Sequence, residues 1–265
     1  MNFSIPIPNY PDPGCGGVCA LYQLADALTQ YGDVEVVVCF DKMLRGYSPA
    51  RSDAIAILAE HYGPLAWPRT VRWMLNLPSY VGNADWYAND SMVWLWNESY
   101  RYPAPQGIEG VFFTVDLRRN VFYDRRQKRS GTCHLVRKGA AKPRLPETTG
   151  TLCIDDYASR GGDAYLADVF NRHETFVSYD HATMVTTMAA MCGCETIVIP
   201  DGVRSVEEVI QQDPLWLSGI AWGCDDCERA RATRRYLPLM LDRYEHSSRQ
   251  SIAAFVEKCK ERWGT

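Results

Sequence analysis

Residues 174–202 show the clearest alternation of hydrophobic and polar positions in the chain. A β-prone run is followed by a polar turn, by an apolar stretch with helical spacing and by a second β-prone run. This order predicts a strand, a turn, a helix and a strand over residues 175–177, 178–180, 182–191 and 196–199. Such a unit places a helix N-terminus at the edge of a parallel sheet, where free N–H groups attract anions. The pattern therefore predicts an anion site near residues 178–183.

The first half of the chain alternates in the same way. A β-prone run at residues 3–7 leads through a glycine-rich loop into a helix around residues 20–28, with Gly32 as its predicted C-cap. The apolar run at residues 34–40 is nearly unbroken, which predicts a strand buried on both faces. Further along, the pattern predicts helices over residues 52–62 and 68–75, and strands over residues 92–96, 111–115 and 121–123.

The alternation restarts after a break between about residues 125 and 132. Ser205 and Glu208 have the spacing of a capping box, which predicts the start of a helix. Strands are predicted over residues 132–136 and 151–154, and helices over residues 164–171, 205–211 and much of 227–260. The chain therefore comprises two predicted α/β halves. We expect four arginines of the last segment to face solvent: Arg229, Arg231, Arg234 and Arg235.

Size and charge narrow the class of protein. With 265 residues, 46% hydrophobic content and a net charge of -4, the chain can bury a substantial core but lacks the broad basic field of a nucleic-acid binder. One local basic run is either a solvated connector or a contact with phosphate or a membrane surface: Arg118, Arg119, Arg125, Arg126, Lys128 and Arg129. Neither a signal peptide nor an apolar window of roughly 18 residues is found. We therefore expect a cytoplasmic protein, with peripheral membrane contact left open.

Ten cysteines raise the question of disulfides or metal. Without a secretion signal, reduced thiols are expected. Two pairs, Cys192-x-Cys194 and Cys224-x-x-Cys227, are the candidates for a zinc site, but C-x-C is a poor knuckle. We expect no metal.

Three segments resemble nucleotide-sugar-dependent glycosyltransferases of the type B fold, and most closely short bacterial and viral relatives of glycosyltransferase family 4. The segments are PGCGGVCALYQLADALTQYGDVEVVV, VRWMLNLPSYVG, and NRHETFVSYDHATMVTTMAAMCGCETIVIPDG with the downstream SGIAWGCDDCERARATRRYL. The resemblance implies two Rossmann-like domains, residues 1–130 on the acceptor side and 131–265 on the nucleotide-sugar side, facing each other across a cleft. It implies transfer of a hexose or deoxyhexose from a nucleoside diphosphate sugar to a glycan or lipid-linked acceptor, in surface polysaccharide or glycoprotein glycan synthesis.

Many family 4 enzymes carry two glutamates separated by seven residues, and these align with Asp180 and Met188. By resemblance Asp180 is the catalytic carboxylate near the donor sugar, although an aspartate there also suits a helix N-cap. Met188 cannot hydrogen-bond a ribose diol and is expected to face the core. This chain therefore keeps one carboxylate of the family pair and lacks the other.

The remaining site residues also follow from the resemblance. Arg137 and Lys138 resemble the basic pair that offsets charge on the departing diphosphate, and with Asp180 they are the predicted catalytic residues. Predicted donor-binding residues are Gly16, Gly17, Ser178, Tyr179, His181 and Thr183. If the enzyme inverts the anomeric configuration, the first half must supply a general base. The candidates are Asp12, His61, Glu98 and Asp116.

Two other classes of protein remain alternatives. The absence of the second glutamate suits a non-catalytic module that binds a sugar nucleotide or a glycan. A type B-like sugar-nucleotide epimerase or phosphorylase is the other alternative, but the chain shows neither a paired-carboxylate epimerase site nor the length and lysine-bound cofactor of phosphorylases.

Overall fold

The structure, a computed structural model, describes residues 1–12, 14–76, 84–87, 90–98, 107–181, 183–200, 202–212 and 217–264. The chain divides into two units. Unit 1 comprises Met1–Asp116 and Glu245–Thr265, and unit 2 comprises Leu117–Tyr244. The sequence placed a single boundary at residue 130, whereas the chain leaves unit 1 earlier and returns to it at the C-terminus. No helix among the described residues is long and apolar enough to cross a membrane.

Each unit contains one sheet in which the strands pair in parallel. The strands of unit 1 are β1 (Asn2–Ile7), β2 (Asp33–Val38), β3 (Ile55–Ala59), β4 (Thr70–Met74), β5 (Met92–Leu95) and β6 (Ile108–Val111). Those of unit 2 are β7 (Thr132–Leu135), β8 (Leu152–Cys153), β9 (Thr175–Ser178), β10 (Glu195–Val198) and β11 (Ile220–Trp222). The sheet orders are β2-β1-β3-β4-β5-β6 and β11-β10-β9-β7-β8. Both sheets are compatible with Rossmann-like domains, since the chain winds first to one side and then to the other.

The helices flank these sheets. They are α1 (Gly16–Leu28), α2 (Gly162–Arg172), α3 (Val185–Cys192), α4 (Val206–Gln212), α5 (Cys227–Thr233) and α6 (Leu237–Trp263). Ser205 and Glu208 form the predicted capping box: the Glu208 carboxylate accepts from Ser205 N at 2.7 Å, and Ser205 Oγ accepts from Glu208 N at 3.2 Å. The predicted N-terminal signal for α4 is therefore confirmed.

The core of unit 1 depends on the C-terminal helix. The connections from β2 to β3 and from β3 to β4 contain no helix, so these crossovers leave sheet surface uncovered. Residues from the end of α6 fill that place, and Phe255 stacks on Phe112 at 4.4 Å and contacts Trp94 edge-on at 5.4 Å. Trp73 in turn stacks on Phe112 at 4.6 Å. These aromatic contacts tie the last helix to the middle of the first sheet.

Several elements predicted for the first half of the chain were wrong. The predicted helices over residues 52–62 and 68–75 are strands β3 and β4, whose residues are all buried. A five-residue apolar run such as Ile-Ala-Ile-Leu-Ala fits a central strand as well as a helix, and the neighbouring strands decide between them. Residues 121–123 form turns instead of a strand, and β6 lies mostly before the predicted residues 111–115.

The strand β2 is partly exposed, not buried on both faces as predicted, because it lies at the edge of its sheet. Gly32 was predicted as the C-cap of α1, but the helix ends at the C-cap Thr29. Gly32 has a packing role instead, since a Cβ at this position would lie 1.8 Å from the carbonyl oxygen of Met1. That close approach positions the start of β2 beside β1.

A buried arginine in the middle of β4 connects the end of β3 with the segment that precedes β5. Arg72 is fully buried and bonds to both carboxylate oxygens of Asp90, at 2.8 Å from Nε and 3.3 Å from Nη2. Its guanidinium also donates to three backbone carbonyls at and after the end of β3: those of Ala59, Tyr62 and Gly63. Arg72 therefore satisfies one buried carboxylate and three backbone carbonyls, and removing it would leave the Asp90 charge buried without a partner.

We expect Arg72→Leu to lower the free energy of unfolding by about 3–5 kcal/mol, because it leaves Asp90 buried without its cation. Urea unfolding followed by circular dichroism measures this loss. The control is Arg51→Leu, which removes an exposed pair with Asp53 and should change stability little. Equal effects of the two substitutions would contradict a structural role for the Arg72 network.

Candidate functional site

The order of strands in unit 2 reverses between β7 and β9. The chain passes from β7 outward to β8 and then crosses to β9 on the other side of β7. In sheets of this kind, ligands bind beyond the carboxyl ends of the strands at the point of reversal. The residues that follow β7 and β9 are the predicted site residues Arg137, Lys138 and Asp180. The fold therefore brings the two predicted segments to neighbouring strand ends.

A basic loop, residues 137–144 with sequence RKGAAKPR, leaves the carboxyl end of β7. Arg137 has a positive φ of 37°, which is uncommon for a residue with a side chain. Its backbone N–H and that of Val136 donate to the Asp155 carboxylate at 3.1 and 2.7 Å. The carboxylate at the end of β8 thus holds the start of the basic loop in this conformation.

Gly139 brings the basic loop against the end of β9. A Cβ at this glycine would lie 2.1 Å from the carbonyl oxygen of Tyr179, so no side chain fits. Tyr179 is fully buried, and its hydroxyl accepts from Leu145 N at 2.7 Å and bonds to Thr148 Oγ1 at 2.8 Å. The Tyr179 side chain therefore anchors the loop from inside, and the Arg144 guanidinium lies over its ring at 4.4 Å.

Lys142 joins the basic loop to the ends of β9 and β10. Its ammonium donates to the carbonyl of Ile199 at 2.6 Å and lies 3.3 Å from Nδ1 of His181. His181 in turn meets the edge of Trp222, which ends β11, at 6.3 Å between ring centroids. Lys138 is exposed, and no described residue hydrogen-bonds or pairs with it. The carboxyl edge of this sheet is therefore lined by cationic and imidazole groups.

Asp180 is buried at the same edge, and its carbonyl accepts from Ser178 Oγ at 2.7 Å. The helix after it begins at Val185 with Met184 as N-cap, three residues later than predicted. Asp180 is therefore not the N-cap of α3. Thr183 instead accepts the N–H of Val185 through Oγ1 at 3.3 Å. The roles of Ser178, Asp180 and Thr183 toward a ligand stay predictions.

The predicted core position of Met188 is confirmed. Its side chain is buried in the hydrophobic cluster of unit 2, and its sulfur lies 3.7 Å from Arg118 Nη2. Most of the basic run is engaged in ion pairs: Arg118 with Asp163, Arg119 with Asp242, Arg125 with Asp168 and Arg129 with Asp124. The charges of these four arginines are therefore partly offset by carboxylates of unit 2.

The glycine pair of unit 1 stands at the first turn of α1. Gly16 and Gly17 have no positive φ, and a Cβ at Gly16 would meet no heavy atom within 4 Å. At Gly17 the nearest atom to such a Cβ is Leu75 Cδ1 at 3.9 Å. Neither backbone conformation nor packing therefore requires glycine here. Without side chains, the two glycines leave space beside the N–H groups of the first turn of α1. The N-cap residue Cys15 makes no side-chain hydrogen bond to these groups.

One acidic residue at the carboxyl edge of unit 1 was not singled out in the sequence. Glu60, directly after β3, is buried and accepts from Leu75 N at 2.9 Å. Burial raises the pKa of its carboxyl group. Glu60 lies where the strand order reverses, between β1 and β3, which is where ligands bind in such sheets. The sequence could have indicated this position only if β3 had been predicted as a strand. Lys142 and Arg144 were not among the predicted site residues either, although they lie in the same loop as Arg137 and Lys138.

The cysteines do not form the suggested zinc site within the described residues. All ten, each in the described part of the chain, are free, and no group of three or more His, Cys, Asp or Glu there is arranged to hold a metal. Burial raises the pKa of Cys192 to about 11 and that of Cys194 to about 12. The Cys194 thiol donates to the carbonyl of Phe170 at 3.1 Å inside the core.

Comparison with known proteins adds no family. The chain matches no model of a known protein family, and a comparison with curated proteins finds no match. The candidate site is therefore defined by its geometry.

Among the general-base candidates, His61 has an environment that yields a measurable prediction. Its Nε2 is buried and has no hydrogen-bond partner among the described residues, and burial lowers its pKa to about 4. The unfolded chain binds this proton near pH 6.5, so the free energy of unfolding falls as the pH drops through the interval between the two values.

We expect His61→Gln to remove this decline, making the loss of stability between about pH 7 and pH 4 smaller by about 2 kcal/mol. Urea unfolding across that range measures it. His246, which is exposed, supplies the control substitution His246→Gln. An unchanged pH dependence in His61→Gln would show that His61 titrates alike in the folded and unfolded chains.

Proposed function

We propose that this protein is a glycosyltransferase of type B architecture. It moves a hexose or deoxyhexose from a nucleoside diphosphate sugar to a glycan or lipid-linked acceptor, without a metal. In this proposal unit 2 binds the donor and unit 1 carries the acceptor side. The observation that carries it is the basic loop, with its four cationic side chains at the carboxyl ends of β7 and β9.

A diphosphate matches the charge and position of the basic loop. A departing nucleoside diphosphate gains negative charge as the glycosidic bond breaks, and fixed cations at its oxygens lower the barrier. Arg137 is held by the backbone bonds of its turn to Asp155, and Lys142 by Ile199. Because these contacts fix the backbone that carries Arg137 and the ammonium group of Lys142 before a ligand binds, less reorganisation is needed during transfer. Lys138 is exposed and supplies a mobile cation.

Asp180 supplies the carboxylate of the proposed reaction. It follows β9, one residue beyond the tyrosine on which the basic loop rests. A carboxylate near the anomeric carbon orients donor hydroxyls or stabilises the positive charge that develops there. The open first turn of α1 supports a second contact of unit 1 with an anionic or polar group of its ligand.

Met188 favours a second candidate function. Since its buried thioether replaces a hydrogen-bonding residue of the family pattern, recognition of ribose must use other groups or be weak. A non-catalytic module that binds sugar nucleotides would keep the basic loop and dispense with catalysis. Turnover separates the two functions.

We expect nucleotide sugars to raise the melting temperature, and a thermal-shift screen with GDP-, UDP-, dTDP- and CMP-sugars identifies the donor. Lys138→Met should weaken binding of that donor by about tenfold, because one charge-assisted contact to a phosphate is lost. Lys128→Met replaces an exposed lysine outside the basic loop and should leave the affinity unchanged. Absence of any shift, or equal weakening by both substitutions, would contradict donor binding at the basic loop.

We expect Asp180→Asn to abolish transfer and donor hydrolysis while nucleotide binding remains, since the substitution removes the charge and keeps the shape. Release of nucleoside diphosphate from the identified donor measures turnover, and calorimetry measures binding. Wild-type activity in Asp180→Asn would eliminate the catalytic role of this carboxylate. Binding without turnover in the wild type would favour the non-catalytic module.

A further inference from the structure

A pocket of about 360 Å³ lies in unit 2 at the amino ends of β9, β10 and β11. This is the edge of the sheet opposite the basic loop, so the pocket is separate from the proposed donor site. Five charged side chains line it: Arg129, Arg231, Arg234, Glu174 and Glu195. The sequence predicted that the arginines of residues 229–235 face solvent, which is wrong for Arg229 and Arg234. Arg229 is bound to Asp226, and Arg234 lines the pocket.

Arg129 enters the pocket across the end of α3. Gly193 has a φ of 104°, and a Cβ there would strike the Arg129 guanidinium, so glycine admits the side chain. The Nη2 of Arg129 donates to the carbonyl of Cys192 at 2.6 Å and also pairs with Asp124. Its Nε is buried and has no hydrogen-bond partner among the described residues. A buried N–H of a charged group without an acceptor is costly, so this guanidinium has donor capacity that the described residues do not use.

Arg234 approaches from the segment between α5 and α6. It donates from Nη1 to the carbonyl of Cys194 at 3.1 Å and from Nη2 to that of Ala190 at 3.2 Å. No carboxylate among the described residues forms an ion pair with it, although the Asp124 carboxylate, which pairs with Arg129, lies close enough to interact with its charge. These bonds cap the C-terminal end of α3. They use one N–H of Nη1 and one N–H of Nη2. A guanidinium has five N–H donors, so others remain for a ligand.

The pocket contains both positive and negative side chains, which favours a ligand that has other polar groups besides an anionic group. Arg231 pairs with Glu195 at 2.6 Å, and Glu174 is exposed at the rim. Carboxylates repel a bare dianion but accept hydrogen bonds from hydroxyl groups. A ligand with both an oxyanion and hydroxyl groups satisfies the arginines and the glutamates together.

We propose that this pocket binds a small phosphomonoester that carries hydroxyl groups, a phosphorylated polyol. The phosphate lies between the guanidinium groups of Arg129 and Arg234, and the hydroxyl groups donate to Glu174 and Glu195. Arginine suits this task because its planar fork presents two parallel N–H groups to phosphate oxygens. The site is independent of the proposed transfer reaction, since it lies on the opposite edge of the sheet.

Calorimetry on the full chain with glycerol 3-phosphate tests the proposal, with inorganic phosphate and glycerol as the partial ligands. We expect glycerol 3-phosphate to bind more tightly than phosphate, and glycerol not to bind. Arg234→Gln should weaken glycerol 3-phosphate by about ten- to a hundredfold, as expected for loss of hydrogen bonds from a charged group. Arg235→Gln is the matched control, because Arg235 is exposed and stacks on Tyr236 outside the pocket.

A second variant covers the case in which Arg234→Gln fails to fold. Arg231 is largely exposed, and its side chain pairs with Glu195 instead of capping the helix. Because Arg231 lines the pocket and its charge adds to the attraction for a phosphate, Arg231→Gln should weaken glycerol 3-phosphate, and it should lower the melting temperature less than Arg234→Gln does. Glu195→Gln should reduce the preference for glycerol 3-phosphate over phosphate. No saturable binding to the wild type at millimolar ligand, or equal affinity in Arg231→Gln and Arg235→Gln, would overturn the proposal.

Discussion

In a parallel sheet the carboxyl ends of all strands lie on the same side of the sheet. The placement of the candidate site residues in both units depends on this constraint. Parallel pairing brings residues from distant positions, such as Lys138, Asp155 and Asp180, to neighbouring strand ends. It also requires crossovers that cover the faces of the sheet. Unit 1 lacks helices in two of these crossovers, and the C-terminal helix supplies the missing cover through Phe255. The first core is therefore completed only by the last residues of the chain.

The sequence predicted an element correctly where a local signal agreed with the tertiary environment. The β-α-β segments around α1 and α3 and the capping box of α4 are such cases, because glycine, capping residues and periodicity act within a few residues. The strands β3 and β4 were missed, because apolar runs of five residues take their conformation from the strands beside them. The boundary of unit 1 was missed for a similar reason, since the return of α6 is a long-range packing event.

The candidate site shows the same division. A resemblance in sequence identified Arg137, Lys138 and Asp180, and the fold places them at adjacent strand ends. The sequence could not show that the Tyr179 side chain is buried and hydrogen-bonded to Leu145 and Thr148. Nor could it show which arginines of residues 229–235 are exposed, because capping of α3 by Arg234 depends on two segments that are distant in sequence. Contacts between loops on different strands require the strand order first.

Hydrogen–deuterium exchange with and without a nucleoside diphosphate tests the central claim most directly. UDP and GDP serve as ligands, and the amides of unit 2 report where either one binds. We expect slower exchange at residues 136–145 and 178–181, since a diphosphate would stabilise the basic loop against the end of β9. Protection confined to residues 193–196 and 230–234 would place the phosphate in the arginine pocket instead. That result, or no protection anywhere in unit 2, would contradict donor binding at the basic loop.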